Sequence, residues 1–221
     1  MMRGILVLAT RNTGKVRELE KILGEDLALE VRSLSDYPEM PEIIEDGDSF
    51  EENARIKALA AARLLGAAAC ADDSGLEVPA LGGDPGIRSA RYAGEDASDE
   101  DNNALLLERM GDLEDPGERR GYFVCSAALA LPARVLDDWG VTTPANWDVT
   151  EDGVSLWSSL VRVPGIVLKR PRGTGGFGYD PLLFYEDLGK TFAEMTMEEK
   201  NGVSHRGEAF RLMVRELRGL S

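Results

Sequence analysis

The chain has 221 residues, 43% of them hydrophobic and 29% charged, which is the composition of an ordinary globular protein with one substantial domain. Its formal net charge of −15 argues against a nucleic-acid partner, because an acidic surface repels phosphate backbones. No apolar run is long enough for a signal peptide or a membrane span, so we expect a cytoplasmic protein without a membrane partner.

The first two strands and the first helix follow from short patterns. Ile5–Leu8 is an apolar run that predicts a buried strand, and the polar turn Thr10–Lys15 comes after it. Apolar residues at helical spacing follow, and Gly24 is expected to end that helix. Alternation over Leu27–Val31 predicts a second strand.

A loop, a long helix and a third strand are predicted next. Ser35–Asp48 is rich in Pro, Asp and Glu and is expected to be a loop. Ser49 and Glu52 form a capping-box pattern at the start of a long helix. The small-residue run 67–71 predicts a strand that stops where the polar segment Asp72–Gly75 begins.

The middle of the chain contains the clearest long strand, Tyr122–Leu131. The stretch 132–153, with its prolines, aspartates and two tryptophans, is expected to be a surface excursion rather than a linker. Residues 1–221 are therefore predicted to form one domain. Leu156–Leu168 predicts a further strand, broken near Pro164-Gly165.

Two more helices complete the predicted elements. Ser98 and Asp101 suit a helix cap, and Ser204 is a candidate cap for the last helix. Cys70 and Cys125 lie in apolar runs and are expected to be buried thiols. The last helix carries one apolar stripe, formed by Phe210, Met213, Val214 and Leu217. Strands and helices alternate early and mix later, which predicts an α/β fold with a mixed sheet.

Two polar segments are candidates for phosphate and metal chemistry. The turn Thr10–Lys15 would present backbone N–H groups at a helix N-terminus, and Lys15 adds a charge, although a plain loop fits these residues equally. Asp72 and Asp73 follow a predicted strand, where α/β sheets bind ligands. One carboxylate could hold Mg²⁺ and orient water while Ser74 donates to phosphate; a capped turn is the alternative.

Three further segments are less specific. The acidic loop Glu45–Asp48 precedes a helix, where carboxylates suit the dipole even without a metal. Gly173–Pro181 has four glycines in six residues, so its backbone can approach a ligand closely and its aromatics can stack on a base. Lys200, His205 and Arg206 lie near the start of the last helix, where cations oppose the dipole, which suggests a compensating acceptor.

Six blocks together resemble the inosine triphosphate pyrophosphatase family, the non-canonical purine NTP pyrophosphatases. They are, in chain order, LATRNTGKVREL, FEENARIKA, ADDSGLEV, GGDPGIRSARYAG, GTGGFGYDPLLF and TFAEMTMEEKNGVSHRGEA. The resemblance implies a long mixed central sheet flanked by helices, and two lobes with a substrate groove between them. It also implies hydrolysis of ITP, dITP and XTP to the monophosphate and pyrophosphate, with Mg²⁺ as cofactor and a homodimer as the assembly.

The resemblance assigns roles to individual residues. Asp73 matches the general base and a metal ligand, and Glu45 most nearly matches a second metal ligand. Arg11 stands where many members have glycine, and the 132–153 stretch looks longer than the usual connection. The substrate-binding positions of the family match Thr10, Arg11, Asn12, Thr13, Gly14, Lys15, Lys57, Ser74, Phe177, Gly178, Tyr179, Asp180, Lys200, His205 and Arg206.

These assignments combine into one mechanism. Mg²⁺ held by Glu45 and Asp73 would reconcile an acidic protein with a triphosphate, Asp73 would activate water, and Lys15 would neutralise the leaving pyrophosphate. Donors at the start of the last helix suit a 6-oxo purine and disfavour adenine. The alternatives are a Maf-like pyrophosphatase for modified nucleotides and a nucleotide-sensing module without turnover.

Overall fold

The computed structural model describes residues 3–24, 27–111 and 113–220, and it has an α/β fold with a mixed sheet. Its strands are β1 (Arg3–Leu8), β2 (Ala28–Ser33), β3 (Ala68–Glu77), β4 (Arg120–Pro132), β5 (Asp148–Val149), β6 (Val154–Val167), β7 (Leu183–Tyr185) and β8 (Lys190–Thr191). The sheet order is β2-β1-β3-β4-β6-β7-β8, with β5 beside β6. Strand β1 is parallel to β2 and β3, whereas β6, β7 and β8 are antiparallel neighbours, which confirms the predicted mixed sheet.

The α-helices include every long helix that the sequence predicts. They are α1 (Thr13–Leu23), α2 (Phe50–Leu65), α3 (Asp99–Arg109), α4 (Ala133–Trp139), α5 (Met197–Val203) and α6 (His205–Gly219). Short α5 was not predicted, and Lys200 lies in it. Within the part of the chain that the structure describes, no helix combines the length and apolarity needed to cross a membrane.

Contacts divide the chain into two compact units. The first unit comprises Met1–Asp73, Ser126–Val161 and Arg206–Ser221, and the second comprises Ser74–Cys125 and Arg162–His205. In the first unit a small-residue core forms because α2 presents four fully buried alanines: Ala54, Ala58, Ala61 and Ala62. The second unit has a larger-residue core that includes Leu76, Leu106, Met110, Phe123 and Phe192.

The apolar stripe of α6 is buried in the first unit, as its spacing predicts. Phe210 and Leu217 at its two ends are completely inaccessible to solvent. The start of α6 is therefore fixed by its packing, and the first residues of the helix hold defined positions.

Cys70 and Cys125 are also buried, and both are free thiols, as predicted.

Two predictions about strand ends are wrong. Strand β3 continues to Glu77 because its backbone stays in the sheet, so Asp72–Gly75 lie within a strand and not in a capped turn. Strand β6 runs unbroken through Pro164-Gly165. A Cβ at Gly165 would lie 2.7 Å from the backbone oxygen of Phe184, so this glycine allows β6 and β7 to approach closely.

The predicted capping box of α2 is only half formed. The Ser49 hydroxyl accepts the Glu52 N–H at 3.1 Å, but the Glu52 carboxylate accepts the N–H of Asp48 at 2.7 Å, one residue earlier than expected. Asn53 also accepts the N–H of Gly47, at 2.9 Å. The loop therefore folds onto the first turn of the helix, which draws the Glu52 side chain away from the N-cap.

The stretch 132–153 is more ordered than an excursion suggests. It contains α4 and β5, and its two tryptophans, Trp139 and Trp147, are buried, which agrees with a packed stretch rather than a linker. The indole N–H of Trp147 donates to Glu216 of α6 at 3.2 Å. Ion pairs from α2 to Asp148 and Asp152 hold the same stretch.

Candidate active site

The predicted phosphate turn lies between β1 and α1 in the first unit. Asn12 is the N-cap of α1, and its side-chain oxygen accepts the backbone N–H groups of Gly14 at 2.8 Å and Lys15 at 3.4 Å. The Thr10 hydroxyl accepts the N–H of Asn12 at 3.2 Å. Residues 11–14 are exposed at the N-terminus of a helix, which is a favourable position for a phosphate group.

Arg11, the departure from the family pattern, faces the loop after β2. Its guanidinium lies 3.4 Å from the carbonyl oxygen of Leu34 and 3.5 Å from that of Met40. The backbone N–H of Leu34 also donates to the carbonyl of Thr10 at 2.9 Å. Arg11 therefore helps to join the phosphate turn to the neighbouring loop.

Asp72 is the centre of a buried group of charges. Its Oδ2 lies 2.8 Å from Lys15 Nζ and 3.0 Å from Arg206 Nε, and its side chain is 1% exposed. Burial alone would raise the pKa of Asp72, but the charges of Lys15 and Arg206 outweigh burial and hold the pKa well below its ordinary value. Asp72 is therefore ionised, and it fixes two cations that the sequence placed in separate subsites.

Asp73 has a different partner, Lys57 of α2. The Lys57 ammonium lies 2.6 Å from Glu45 Oε2 and 3.4 Å from Asp73 Oδ1. Burial raises the pKa of Asp73 above its ordinary value, and Glu45 and Asp72 add to the rise while Lys57 opposes it. Burial disfavours the charge of Lys57, but Asp73 and Glu45 outweigh it and raise the pKa of Lys57. A raised carboxyl pKa is what a general base needs near neutral pH.

A pocket of about 470 Å³ in the first unit is lined by four of these charged groups: Lys15, Glu45, Lys57 and Asp72. That volume is typical of a small-molecule site. Its lining combines the phosphate turn, the acidic loop and the buried charges, namely Ala9, Thr10, Arg11, Lys15, Leu34, Pro41, Glu42, Ile43, Glu45, Lys57 and Asp72. A cavity with cations and carboxylates on its walls can hold an anion together with a divalent cation.

Carboxylates are the protein groups here that could bind a divalent cation. In residues 3–24, 27–111 and 113–220, no group of three or more His, Cys, Asp or Glu side chains is arranged to hold a metal. Glu45 and Asp73 nevertheless converge on one cation, the Lys57 ammonium. Mg²⁺ is usually bound through one or two carboxylates plus water and substrate phosphates, so this pair is sufficient.

The second unit contains the glycine loop, Gly173–Pro181, which has no regular structure, as predicted. The buried Asp180 carboxylate accepts the N–H of Phe177 at 2.9 Å and forms an ion pair with Lys200. The Lys200 ammonium lies 4.9 Å from the centre of the Phe177 ring, which is 58% exposed. A Cβ at Gly176 would lie 1.9 Å from Asp180 Oδ2, so only glycine fits this turn.

Two predicted nucleobase residues have buried side chains with partners inside the protein. The Tyr179 hydroxyl donates to the carbonyl of Ser89 at 2.9 Å. The His205 ring stacks on Phe123, with centroids 4.9 Å apart and planes 24° apart. The hydroxyl of Tyr179 is therefore used in folding, and His205 is held by an aromatic neighbour.

The predicted site residues fall into two sets. In the first unit the structure brings together the phosphate turn, Lys57, Glu45, Asp73 and Arg206. The second unit contains Ser74, Phe177, Gly178, Tyr179, Asp180, Lys200 and His205. Sequence reasoning missed the anchoring role of Asp72, although the apolar run before it indicated that it would be buried.

Comparison with known proteins places both units in one family. The family model described as the Ham1 family matches residues 6–216. A curated dITP/XTP pyrophosphatase of Syntrophobacter fumaroxidans is 50% identical over 98% of this chain and 83% of its own length. The protein of the same name from Geobacter sulfurreducens is 47% identical over 94% of each chain.

Solved structures agree with the sequence comparison. The Ham1 protein of Staphylococcus aureus has a TM-score of 0.80 and 36% identity, covering 98% of this chain and all of its own. A HAM1 protein from Coxiella burnetii has a TM-score of 0.82 and 33% identity, covering 97% of this chain and 98% of its own. The resemblance identified from six sequence blocks is thus confirmed, and the chain belongs to the Ham1 family.

Proposed function

We propose that this protein hydrolyses the non-canonical purine nucleoside triphosphates dITP, XTP and ITP to the nucleoside monophosphate and pyrophosphate. The observation that carries the proposal is the 50% identity, over 98% of the chain, to a relative named dITP/XTP pyrophosphatase. The arrangement of charges in the first unit supports it, because cations suited to phosphate line the pocket and one of them, Lys57, also contacts Asp73, a carboxylate suited to activating water.

Asp73 acts as the general base in this proposal. Its raised pKa favours uptake of a proton from the attacking water, and the nearby Lys57 keeps the carboxylate oriented. Lys15 lies at the phosphate turn and is held by Asp72, so its charge is positioned to neutralise the pyrophosphate that leaves. Ser74 follows Asp73 in β3 and is a candidate phosphate donor.

Glu45 and Asp73 would hold the divalent cation, for which we propose Mg²⁺. When bound, that ion supplies positive charge to the phosphate oxygens, which an acidic protein otherwise lacks. Lys57 contacts both carboxylates. Because the bound ion would take over part of their interaction with Lys57, the ammonium could also contact a phosphate oxygen.

Purine recognition is proposed for the second unit, and Arg206 is a separate candidate donor in the first unit. Phe177 exposes an aromatic face, and Lys200 and His205 provide donors for a 6-oxo group. Arg206 binds Asp72 through Nε and lies 3.9 Å from Glu18 through Nη1, so a contact to the base would be made in addition to these. The homodimer implied by the family resemblance and the cytoplasmic location expected from the short apolar runs stay predictions.

The test is pyrophosphate release from ITP, dITP, XTP, GTP and ATP, with and without Mg²⁺. We expect IMP and pyrophosphate from ITP, dependence on the metal, and little turnover of ATP. Orthophosphate and IDP as products would show that the wrong bond has been assigned. Binding without turnover would favour a sensing module, and turnover confined to modified pyrimidine nucleotides would favour the Maf-like alternative.

A further inference from the structure

One face of α3 forms two hydrogen bonds to the glycine loop at Gly178. The Asp99 carboxylate accepts the backbone N–H of Gly178 at 2.6 Å, and the Asn103 side-chain amide donates to the Gly178 carbonyl at 3.0 Å. Asp99 and Asn103 are four residues apart in the helix, so they lie on the same face. Both polar groups of one glycine are therefore bound by two side chains of a single helix.

These hydrogen bonds help to fix the backbone on both sides of Phe177. Its own N–H donates to Asp180 at 2.9 Å, and its carbonyl accepts the N–H of Asp180 at 3.2 Å. The next peptide is held through Gly178, which has a φ of +59° in the left-handed region. Since the peptides on both sides of the Phe177 Cα are bound, the Cα–Cβ bond leaves a fixed point in a fixed direction, and only the side-chain torsions remain to place the ring.

Asn103 carries a second sign of this role. Its side-chain oxygen is buried and has no hydrogen-bond partner among the residues that the structure describes. A buried polar atom without a partner is unfavourable, and an apolar side chain would avoid the penalty. An amide occupies this position although its oxygen is unsatisfied, and the bond from its nitrogen to the Gly178 carbonyl compensates for that penalty.

We propose that Asp99 and Asn103 are positioning residues for the nucleobase. They hold the glycine loop so that the exposed Phe177 ring is ready to stack on a purine before the ligand arrives. This inference rests on the proposed function, because it assumes a ligand with a base. It assigns a binding role to a helix face outside the residues matched by the family resemblance.

The physical basis is preorganisation. A loop with four glycines in six residues has many accessible conformations, and ordering it at the moment of binding would reduce affinity. Bonds from α3 remove that penalty in the free protein. The gain applies only to ligands that reach Phe177, so a ligand without a base gains nothing from it.

The experiment compares two ligands in Asp99→Ala, in Asn103→Ala and in the double variant. IMP carries a base, and inorganic triphosphate does not; their affinities are measured by calorimetry, and KM and kcat are measured for dITP. Hydrogen exchange of the 173–182 peptide reports directly on the loop. Glu100→Ala is the matched control, because Glu100 is an exposed acid in the same first turn.

We expect each single variant to lower the affinity for IMP and to raise the KM for dITP, each by about fivefold, which corresponds to the loss of one hydrogen bond. Exchange in the loop should become faster, while kcat and the affinity for inorganic triphosphate stay within about twofold, because the phosphate turn is untouched. Asp99→Asn, which keeps an acceptor oxygen, should recover most of the affinity for IMP. Glu100→Ala should match the wild type in every measurement.

Three results would overturn the proposal. Unchanged IMP affinity in the double variant despite faster exchange would show that loop order is irrelevant to binding. Unchanged exchange would show that α3 does not hold the loop. An equal loss of affinity for IMP and for inorganic triphosphate would indicate that the substitution disturbs the whole protein and not the loop alone. Failure of the proposed function is distinguishable, because the wild-type protein itself would then release no pyrophosphate from dITP.

Discussion

The first unit holds its functional side chains by charge, whereas the second holds the backbone of its functional loop mainly by hydrogen bonds to side chains, beside one ion pair between Asp180 and Lys200. In the first, Asp72 and Lys57 are each bound to two groups of opposite sign, and both are buried. In the second, Phe177 and Gly178 are held through their peptide groups, and the Phe177 side chain remains exposed.

The difference separates two kinds of task. Buried ion pairs seldom add net stability, because desolvation offsets attraction, so their presence indicates that ionised groups are needed there for another reason. A loop held by its backbone leaves its side chain available to a ligand. We therefore expect changes in the first unit to affect kcat and folding, and changes in the second to affect KM.

The largest expected effect follows from removing the charge of the proposed base. Asp73→Asn keeps the size of the side chain but cannot accept a proton, so kcat for dITP should fall by at least about 10². The KM should change much less, since Lys15 and the glycine loop persist. Asp152→Asn is the control, because it makes the same replacement at an exposed position in the first unit. Turnover close to that of the control would remove Asp73 from the mechanism.

The second effect concerns folding. Asp72→Asn leaves Lys15 and Arg206 facing an uncharged amide in a buried position, so the free energy of unfolding at neutral pH should fall by about 3 kcal/mol. Urea unfolding of the variant, the wild type and Asp152→Asn measures it. A loss no larger than that of Asp152→Asn would mean that the buried cluster is held by other contacts.

The pH dependence of that loss has a definite sign. Because the folded state lowers the pKa of Asp72, its contribution is complete above the ordinary value of about 3.9 and disappears as the pH falls toward the lower folded value. The difference in stability between the wild type and Asp72→Asn should therefore shrink on acidification below about pH 4.

The smallest effects separate stacking from base selection. Phe177→Ala should weaken the binding of ITP, XTP, GTP and ATP alike, by about 1–3 kcal/mol, because one base–aromatic stacking contact is lost. Arg206→Ala should instead narrow the ratio of kcat/KM between ITP and ATP by about tenfold, because it removes a donor that only a 6-oxo base satisfies. An unchanged ratio in Arg206→Ala would leave Arg206 as an anchor of Asp72 and assign base selection to the second unit.

Much of the fold could be predicted because the signals are local. Helix α2 ends at Gly66 in the left-handed conformation, and α3 begins with a complete capping box formed by Ser98 and Asp101. The strand ends could not be predicted, since Pro164-Gly165 and Asp72–Gly75 look like breaks unless the neighbouring strand is known. Close approach of another backbone is a tertiary property that no local pattern contains.

The site was predictable to a similar degree. The phosphate turn and the glycine loop have compositions that single them out, and the family resemblance chose Glu45 from an acidic loop whose composition alone could not distinguish it. The partners of each charge were out of reach, because Asp72 and Arg206 are 134 positions apart in the chain. The hydrogen bonds from α3 to Gly178 could not be predicted either, since Asp99 and Asn103 resemble ordinary helix-surface residues.

Strand β3 restricts how the chain can change in length. Successive side chains of a strand point to opposite faces, so Asp72 and Asp73, chemically identical neighbours, meet different partners. An insertion or deletion of one residue in β3 before this pair would exchange their faces, placing the anchor where the base belongs. Gaps and insertions compatible with activity should therefore be confined to segments that lie outside the strands and outside the residues proposed for the site.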